Sequence, residues 1–355
     1  MRPSVAELFL KRALPKASLP DDQSAERLEE QREEPLVTMS PSELAELFVT
    51  VSFFRCTLQP LIDQDWIRHQ QADLSAVDPR VLQMTNELLS LDFLHDELIG
   101  ASAKTLKNYI ARSNQLLKLI VSFVKLKEAD RYQAFVQAAM SLIDVRARYQ
   151  DSLPHNHFSE ALYRAFDQLD DILGIHYDLD VDMASDPNQK ERLYEGAGIG
   201  VQTSYSSILL ALDRAKPVPG ARILDLGSGY GRVGFVLGLL RPDINFTGYE
   251  YVDHRVEDSK AVARRAGLSR TAFVTQDLAR ADFRIPEADI YYMYDPFSRE
   301  TYGTVLNQLI AIGKRFPVTI ITKGRANTWV REALELQKWS IDDTCDSGTV
   351  CLFRS

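Results

Sequence analysis

One stretch, Asp225-Leu226-Gly227-Ser228-Gly229-Tyr230-Gly231-Arg232, sets an acid ahead of three glycines at alternate positions. The apolar run Ala221–Gly227 (ARILDLG) leads into it, and a helical pattern over 231–240 follows. Glycine tolerates positive φ, so such a stretch can turn sharply from strand to helix and bring backbone close to a ligand. Glu250 falls at the end of a second strand-like run, Asn245–Tyr251, 19 residues after Gly231. A carboxylate there can accept both hydroxyls of a ribose. Asp277 ends a third run, Thr271–Asp277, where its carboxylate suits an adenine amino group. Tyr294-Asp295-Pro296-Phe297 ends a fourth, Ala288–Asp295.

The elements that must hold these residues alternate. After the third and fourth strands come a helix over 300–312, a fifth strand Val318–Lys323, and a helix over 327–336. Lys338–Asp343 and Thr349–Phe353 then flank Asp346-Ser347-Gly348, a hairpin-turn composition. Alternating β and α predicts a doubly wound, Rossmann-like α/β sheet with an antiparallel C-terminal hairpin. In such sheets ligands bind beyond the carboxyl ends of the strands, next to strand one.

The first half has a different period. Ser40-Pro41-Ser42-Glu43 reads as a capping box, followed by Leu44, Leu47, Phe48, Val51 and Phe54 at helical spacing. Further stripes are Leu106, Ile110, Leu117, Ile120 and Val124; Phe135, Ala139, Leu142 and Val145; and Phe158, Leu162, Phe166, Leu169 and Leu173, stopped by Gly174. The chain therefore divides into a charged, flexible segment over 1–39, an all-α helical bundle over 40–195, and the α/β domain over 196–355. His155, His157 and His176 lack the further ligands a metal site needs. Asp178, Asp180 and Asp182 fail as a calcium loop, because Met183 stands where the loop requires Gly and Gln189 where it requires Glu. No metal is expected.

Composition excludes whole classes. With 355 residues, 45% hydrophobic and 26% charged, the chain is an ordinary globular protein with room for two domains. No run of 18 apolar residues is available to span a bilayer. Three cysteines, Cys56, Cys345 and Cys351, fit a reducing compartment, and the expected location is the cytoplasm. The net charge of −9 is unevenly divided: residues 1–195 hold 32 acids and 21 bases, residues 196–355 hold 18 and 20. An acidic chain is a poor general binder of phosphate backbones, so a nucleic-acid partner is not expected.

Residues 196–355 resemble a class I S-adenosylmethionine-dependent methyltransferase domain. The carrying motif is an acid, an apolar residue and Gly-x-Gly-x-Gly, as in Asp225–Gly231. The resemblance implies that Asp225, Gly227, Ser228, Gly229 and Gly231 form the cofactor loop. It further implies that Glu250 binds ribose, that Tyr251 flanks adenine, and that Asp277 with Leu278 holds the adenine edge. The rival is a nicotinamide fold, since Gly229–Gly234 matches G-x-G-x-x-G. That motif serves a pyrophosphate, whereas S-adenosylmethionine carries an ammonium and a sulfonium, for which Asp225 is favourable.

Two further likenesses concern the acceptor. Amine-directed members of the class often carry Asp/Asn/Ser-Pro-Pro-Tyr/Phe after strand four, and Asp295-Pro296-Phe297 is one proline short of it. Tyr194–Ser206, with Gly200-Val201-Gln202-Thr203-Ser204-Tyr205, is similar to the stretch that closes over the cofactor in histone-lysine methyltransferases of the disruptor-of-telomeric-silencing type. These imply catalytic roles for Asp295, Pro296, Phe297 and Tyr205, a cofactor contact from Thr203, and N-methylation of a protein side chain such as lysine. A neutral amine is the nucleophile, so an aromatic pocket of Tyr205, Tyr294 and Phe297 would favour its deprotonation by burial. Nucleic-acid and small-molecule acceptors, or a non-catalytic binding module, are the alternatives.

Overall fold

The computed structural model describes residues 36–71, 102–125, 129–151, 164–180, 202–335 and 337–355. The segment 1–35, the histidines His155 and His157, Phe158, Leu162, Asp182 and the stretch 194–201 lie outside the described residues. Contact clustering divides the chain into two units, Met1–Arg146 with Asn156–Ile172, and Ala147–His155 with Leu173–Ser355.

In the first unit, α1 (Pro41–Gln71) packs on α2 (Ala103–Lys125), and α3 begins at Ala129 and runs to Asp151. The capping box forms as a reciprocal pair. The Ser40 N–H donates to Glu43 Oε2 at 2.8 Å, and the Glu43 N–H donates to Ser40 Oγ at 3.3 Å. Leu44, Leu47, Phe48, Val51 and Phe54 are all buried, and aromatic edges join the helices: Phe48 to Phe135, Phe54 to Tyr109. Of the α3 stripe, Phe135 and Ala139 are buried, whereas Val145 is 64% exposed. The buried face of α3 continues through Met140, Ile143 and Ala147, and Val145 points away from it. Gly174 takes φ 73 directly after α4 (Gln168–Leu173), as a terminating glycine should. Among the described residues no helix is long and apolar enough to cross a membrane.

The second unit begins earlier than residue 196. Gly174 lies against the Arg265 guanidinium, Tyr177 packs edge-on against Tyr230 at 4.7 Å, and Asp180 pairs with Arg255. Residues 173–180, which the sequence pattern groups with the helical bundle, are therefore tied to the sheet by long-range contacts that no local period reveals.

The sheet has seven strands: β1 Arg222–Leu226, β2 Asn245–Glu250, β3 Thr271–Thr275, β4 Ile290–Tyr294, β5 Thr319–Lys323, β6 Ser340–Cys345 and β7 Val350–Arg354. Their order is β3-β2-β1-β4-β5-β7-β6. The first five are parallel; β7 pairs antiparallel with both β5 and β6. The expected hairpin forms, with its second strand inserted between β5 and the edge. Strand runs such as IYYMY in β4 are apolar almost throughout because helices cover both faces. Those helices are α5 (Tyr205–Ala215), α6 (Arg232–Leu240), α7 (Asp253–Arg265), α8 (Arg299–Gly313) and α9 (Ala326–Glu335). The order reverses at β1, so the crevice falls between the carboxyl ends of β1 and β4.

Candidate active site

The glycine loop sits in that crevice. Gly227, Gly229 and Gly231 take φ of 97, 52 and 85 degrees, a region in which a side chain is strained. The amides of Gly227 and Ser228 both donate to the Tyr249 carbonyl at 2.9 Å, which stitches the loop to β2. A side chain on Gly227 would run into Pro296, so the loop and the turn after β4 touch through that missing atom. On β2, the absent side chain of Gly248 makes room for Ser228. Ser228 Oγ is buried without a hydrogen-bond partner.

Two carboxylates face this loop. Glu250, 5% exposed, accepts the Gly229 N–H on Oε2 at 2.8 Å and the Val252 N–H on Oε1 at 3.0 Å. Two carboxylate oxygens offer about four acceptor positions, so capacity for ligand hydroxyls remains. Asp225 is 3% exposed, and burial, reinforced by the Glu250 charge, holds its carboxyl well above the ordinary range. Its register partner on β4, Tyr292, has its phenol pushed up by burial and by the Asp225 charge. At the end of β3 the Gln276 N–H donates to the Glu250 carbonyl at 2.8 Å, which sets the two strand ends side by side. Asp277 Oδ1 accepts the Ala279 N–H at 2.8 Å, Leu278 is buried, and Tyr251 is 38% exposed.

A third wall comes from upstream. The Gln202 side chain rests where a side chain on Gly229 would go. Arg232, at the first position of α6, donates from Nη1 to the Thr203 carbonyl at 2.9 Å and stacks on the Tyr205 ring at 4.7 Å. Ser204 caps α5 by accepting the Ser207 N–H. Thr203 and Tyr205 are thus brought to the glycine loop by Arg232, a residue the sequence reading passed over. The available signal was a cation at a helix N-terminus, where the helix dipole disfavours it.

The other side of the crevice departs from expectation. Asp295, at φ 42 after β4, accepts the amides of Arg325 and Ala326 at 2.9 and 2.7 Å. Both oxygens cap the start of α9, and Gly324 lacks the side chain that would collide with them. Phe297 is fully buried in the core against Tyr302, 5.2 Å between ring centroids. Tyr205 is 1% exposed beneath Arg232. Asp295, Phe297 and Tyr205 all have partners within the fold: helix amides, core rings, a guanidinium. At the end of β5, Lys323 Nζ donates to Ser207 Oγ at 2.7 Å and Asp346 Oδ2 at 2.8 Å. Burial opposes ionisation of Asp346, but the Lys323 charge and the Ser207 and Thr349 hydroxyls outweigh it, leaving its carboxyl below the ordinary value.

The chemistry of this donor set fits S-adenosylmethionine. Buried acids face a loop of backbone amides, which suits a cationic ligand bearing ribose hydroxyls and suits a pyrophosphate poorly.

Comparison with known proteins agrees. Residues 217–314 match a family model described as a methyltransferase domain. No curated protein matches the chain. Similar solved structures include precorrin-6y C5,15-methyltransferase from Geobacter metallireducens (14% identity, TM-score 0.35, covering 41% of this chain and 76% of that one). Others are TrmN from Thermus thermophilus (20%, 0.35, 44% and 49%) and the tRNA (uracil-54, C5)-methyltransferase of Pyrococcus abyssi in complex with S-adenosyl-L-homocysteine (16%, 0.34, 48% and 43%). The chain therefore spans about half the length of the two latter proteins. Strand order and glycine loop agree with the family match, which places a methyltransferase domain over residues 217–314.

Proposed function

We propose that this protein transfers a methyl group to a nitrogen on a protein side chain, with lysine as the leading acceptor. The cofactor supplies an electrophilic methyl on a sulfonium, and the protein's task is alignment. In this reading Glu250 holds the ribose, Asp225 and the amides of Gly227–Gly229 surround the amino-acid end, and Tyr251, Asp277 and Leu278 bracket the adenine. The observation that carries it is the Glu250 carboxylate, buried against the Gly229 amide with acceptor capacity to spare.

For the acceptor, the turn after β4 supports nitrogen. Pro296 rests on Gly227, so the Asp295-Pro296-Phe297 turn, which resembles the motif of amine-directed methyltransferases, borders the glycine loop. Asp295 then acts through the turn it holds rather than through its carboxylate. The net charge of −9 favours a basic protein surface as partner.

One observation favours a nucleic acid instead. Helix α2 carries Lys104, Lys107, Arg112, Lys118 and Lys125 and no acid, and its four lysines are exposed. Radiolabelled methyl transfer to a lysate, followed by protease or nuclease, separates the two. The expected result is label lost on protease treatment only, and label lost on nuclease treatment alone overturns the protein reading. Calorimetry with S-adenosylhomocysteine tests the cofactor site, and Glu250→Ala binding as tightly as wild type refutes the role given to Glu250.

A further inference from the structure

Glu250 has a charged neighbour that no sequence motif announces. Arg255, in the first turn of α7, is 7% exposed and sets Nη1 3.7 Å from Glu250 Oε1. The same guanidinium grips a second acid more tightly. Its Nε meets Asp180 Oδ1 at 3.2 Å and its Nη2 meets Asp180 Oδ2 at 3.1 Å. Asp180 is 1% exposed, and its Oδ1 also lies 2.9 Å from His254 Nε2. The ring of Tyr230, from the glycine loop, underlies the guanidinium at 5.7 Å.

The unequal distances matter. An Arg–carboxylate fork is planar and rigid, and it occupies both oxygens of the acid it holds. Here the fork goes to Asp180, and Glu250 receives only the outer edge of the guanidinium. Glu250 therefore keeps lone pairs for ligand hydroxyls, and the positive charge still offsets its burial. Without Asp180, nothing directs the guanidinium elsewhere, and a fork to Glu250 becomes the better arrangement for a buried pair. That fork would cover the oxygens a ribose needs.

We propose that Asp180 and Arg255 are positioning residues that set ribose recognition by Glu250, with Asp180 holding the guanidinium back from the carboxylate. The proposal rests on the methyltransferase reading and deepens it. It also gives a role to Asp180, whose acidic run fails as a calcium loop, and explains why residues 173–180 travel with the sheet.

The test is calorimetry on the full-length protein with two ligands, S-adenosylhomocysteine and its 2′-deoxyribose analogue, with melting temperatures recorded in parallel. Wild type prefers the ribose form. Asp180→Asn, nearly isosteric, weakens S-adenosylhomocysteine roughly tenfold, the scale of one misplaced charge-assisted hydrogen bond, and leaves the analogue within about twofold. Arg255→Lys, which keeps the charge and loses the fork, shifts the preference in the same direction. Variants that retain the wild-type preference, or that lose both ligands equally, overturn the positioning role while the methyltransferase reading stands. Wild type that binds both ligands equally overturns the ribose role of Glu250 and this proposal with it. Wild type that binds neither overturns the cofactor reading itself.

Discussion

The two sides of the crevice use the same residue types for different ends. At β1 and β2, Glu250 holds the Gly229 amide and retains acceptor capacity, with Asp225 buried within reach of its charge. At β4 and β5, Asp295 and Lys323 serve the fold, one accepting the first amides of α9, the other donating to Ser207 and Asp346. Each is a polar residue at or just past the end of a parallel strand. What separates them is the neighbouring backbone. A helix start presents unpaired amides that demand an acceptor, and Asp295 meets that demand. The glycine loop gives its first two amides to the Tyr249 carbonyl and that of Gly229 to Glu250. A strand-final acid therefore reads as a binding group only where the adjoining helix is capped by something else.

The sharpest break in this comparison is Gly227→Val. A β-branched residue at φ 97 that also overlaps Pro296 combines backbone strain with overpacking, each costing about 1–3 kcal/mol. The expected outcome is loss of the cooperative melting transition by circular dichroism. Gly229→Ala is the control: at φ 52, in the left-handed region, it meets only the movable Gln202 side chain. It should lose only about 1 kcal/mol to the left-handed backbone and keep its cooperative transition.

Lys323→Met comes next. It leaves the half-buried Asp346 without its ammonium, at a cost of about 1–3 kcal/mol. Because the Asp346 carboxyl is held below its unfolded value, its contribution is present above the unfolded value and is lost as pH falls through the folded one. The wild-type advantage over Lys323→Met should therefore shrink on acidification. An advantage that grows instead contradicts the pairing.

Asp295→Ala should cost about 1–2 kcal/mol through the lost cap, and Asp295→Asn less, since its carbonyl still accepts one amide. Both should bind S-adenosylhomocysteine as wild type does. If Asp295→Ala melts normally while single-turnover methyl transfer collapses, the carboxylate acts on the acceptor after all and the contrast between the two sides fails.

Local signals carried much of the architecture. The glycine spacing, the capping box at Ser40–Glu43 and the 346–348 turn are each written within a few residues, so the loop, the start of α1 and the hairpin were legible. The partners of Asp295 lie 30 and 31 residues away, and Arg255 meets an acid 75 residues upstream. Spacing along the chain holds no record of such pairs. Phe297 was misleading for the same reason: an aromatic after strand four reads as a pocket wall until Tyr302 and the core are placed around it. Val145 continues a helical stripe on paper, yet the buried face of α3 runs through Ile143 and Ala147, about half a turn away.

The smallest effect concerns Asp225, where stability and binding should move in opposite directions. Burial and the Glu250 charge raise its carboxyl, so the folded state holds a proton that the unfolded chain releases. Stability from this group is then complete below the unfolded value and is lost as pH rises through the folded one. Asp225→Asn removes that loss, so the variant should melt slightly above wild type near neutral pH and level with it in acid. Its binding of S-adenosylhomocysteine should weaken, because the ligand's ammonium loses a counter-charge. The wild-type affinity should rise with pH as the raised carboxyl ionises, and that pH dependence should flatten in the variant. A variant that is more stable and binds undiminished would show that Asp225 serves the sheet alone, and the prepared side of the crevice would rest on Glu250.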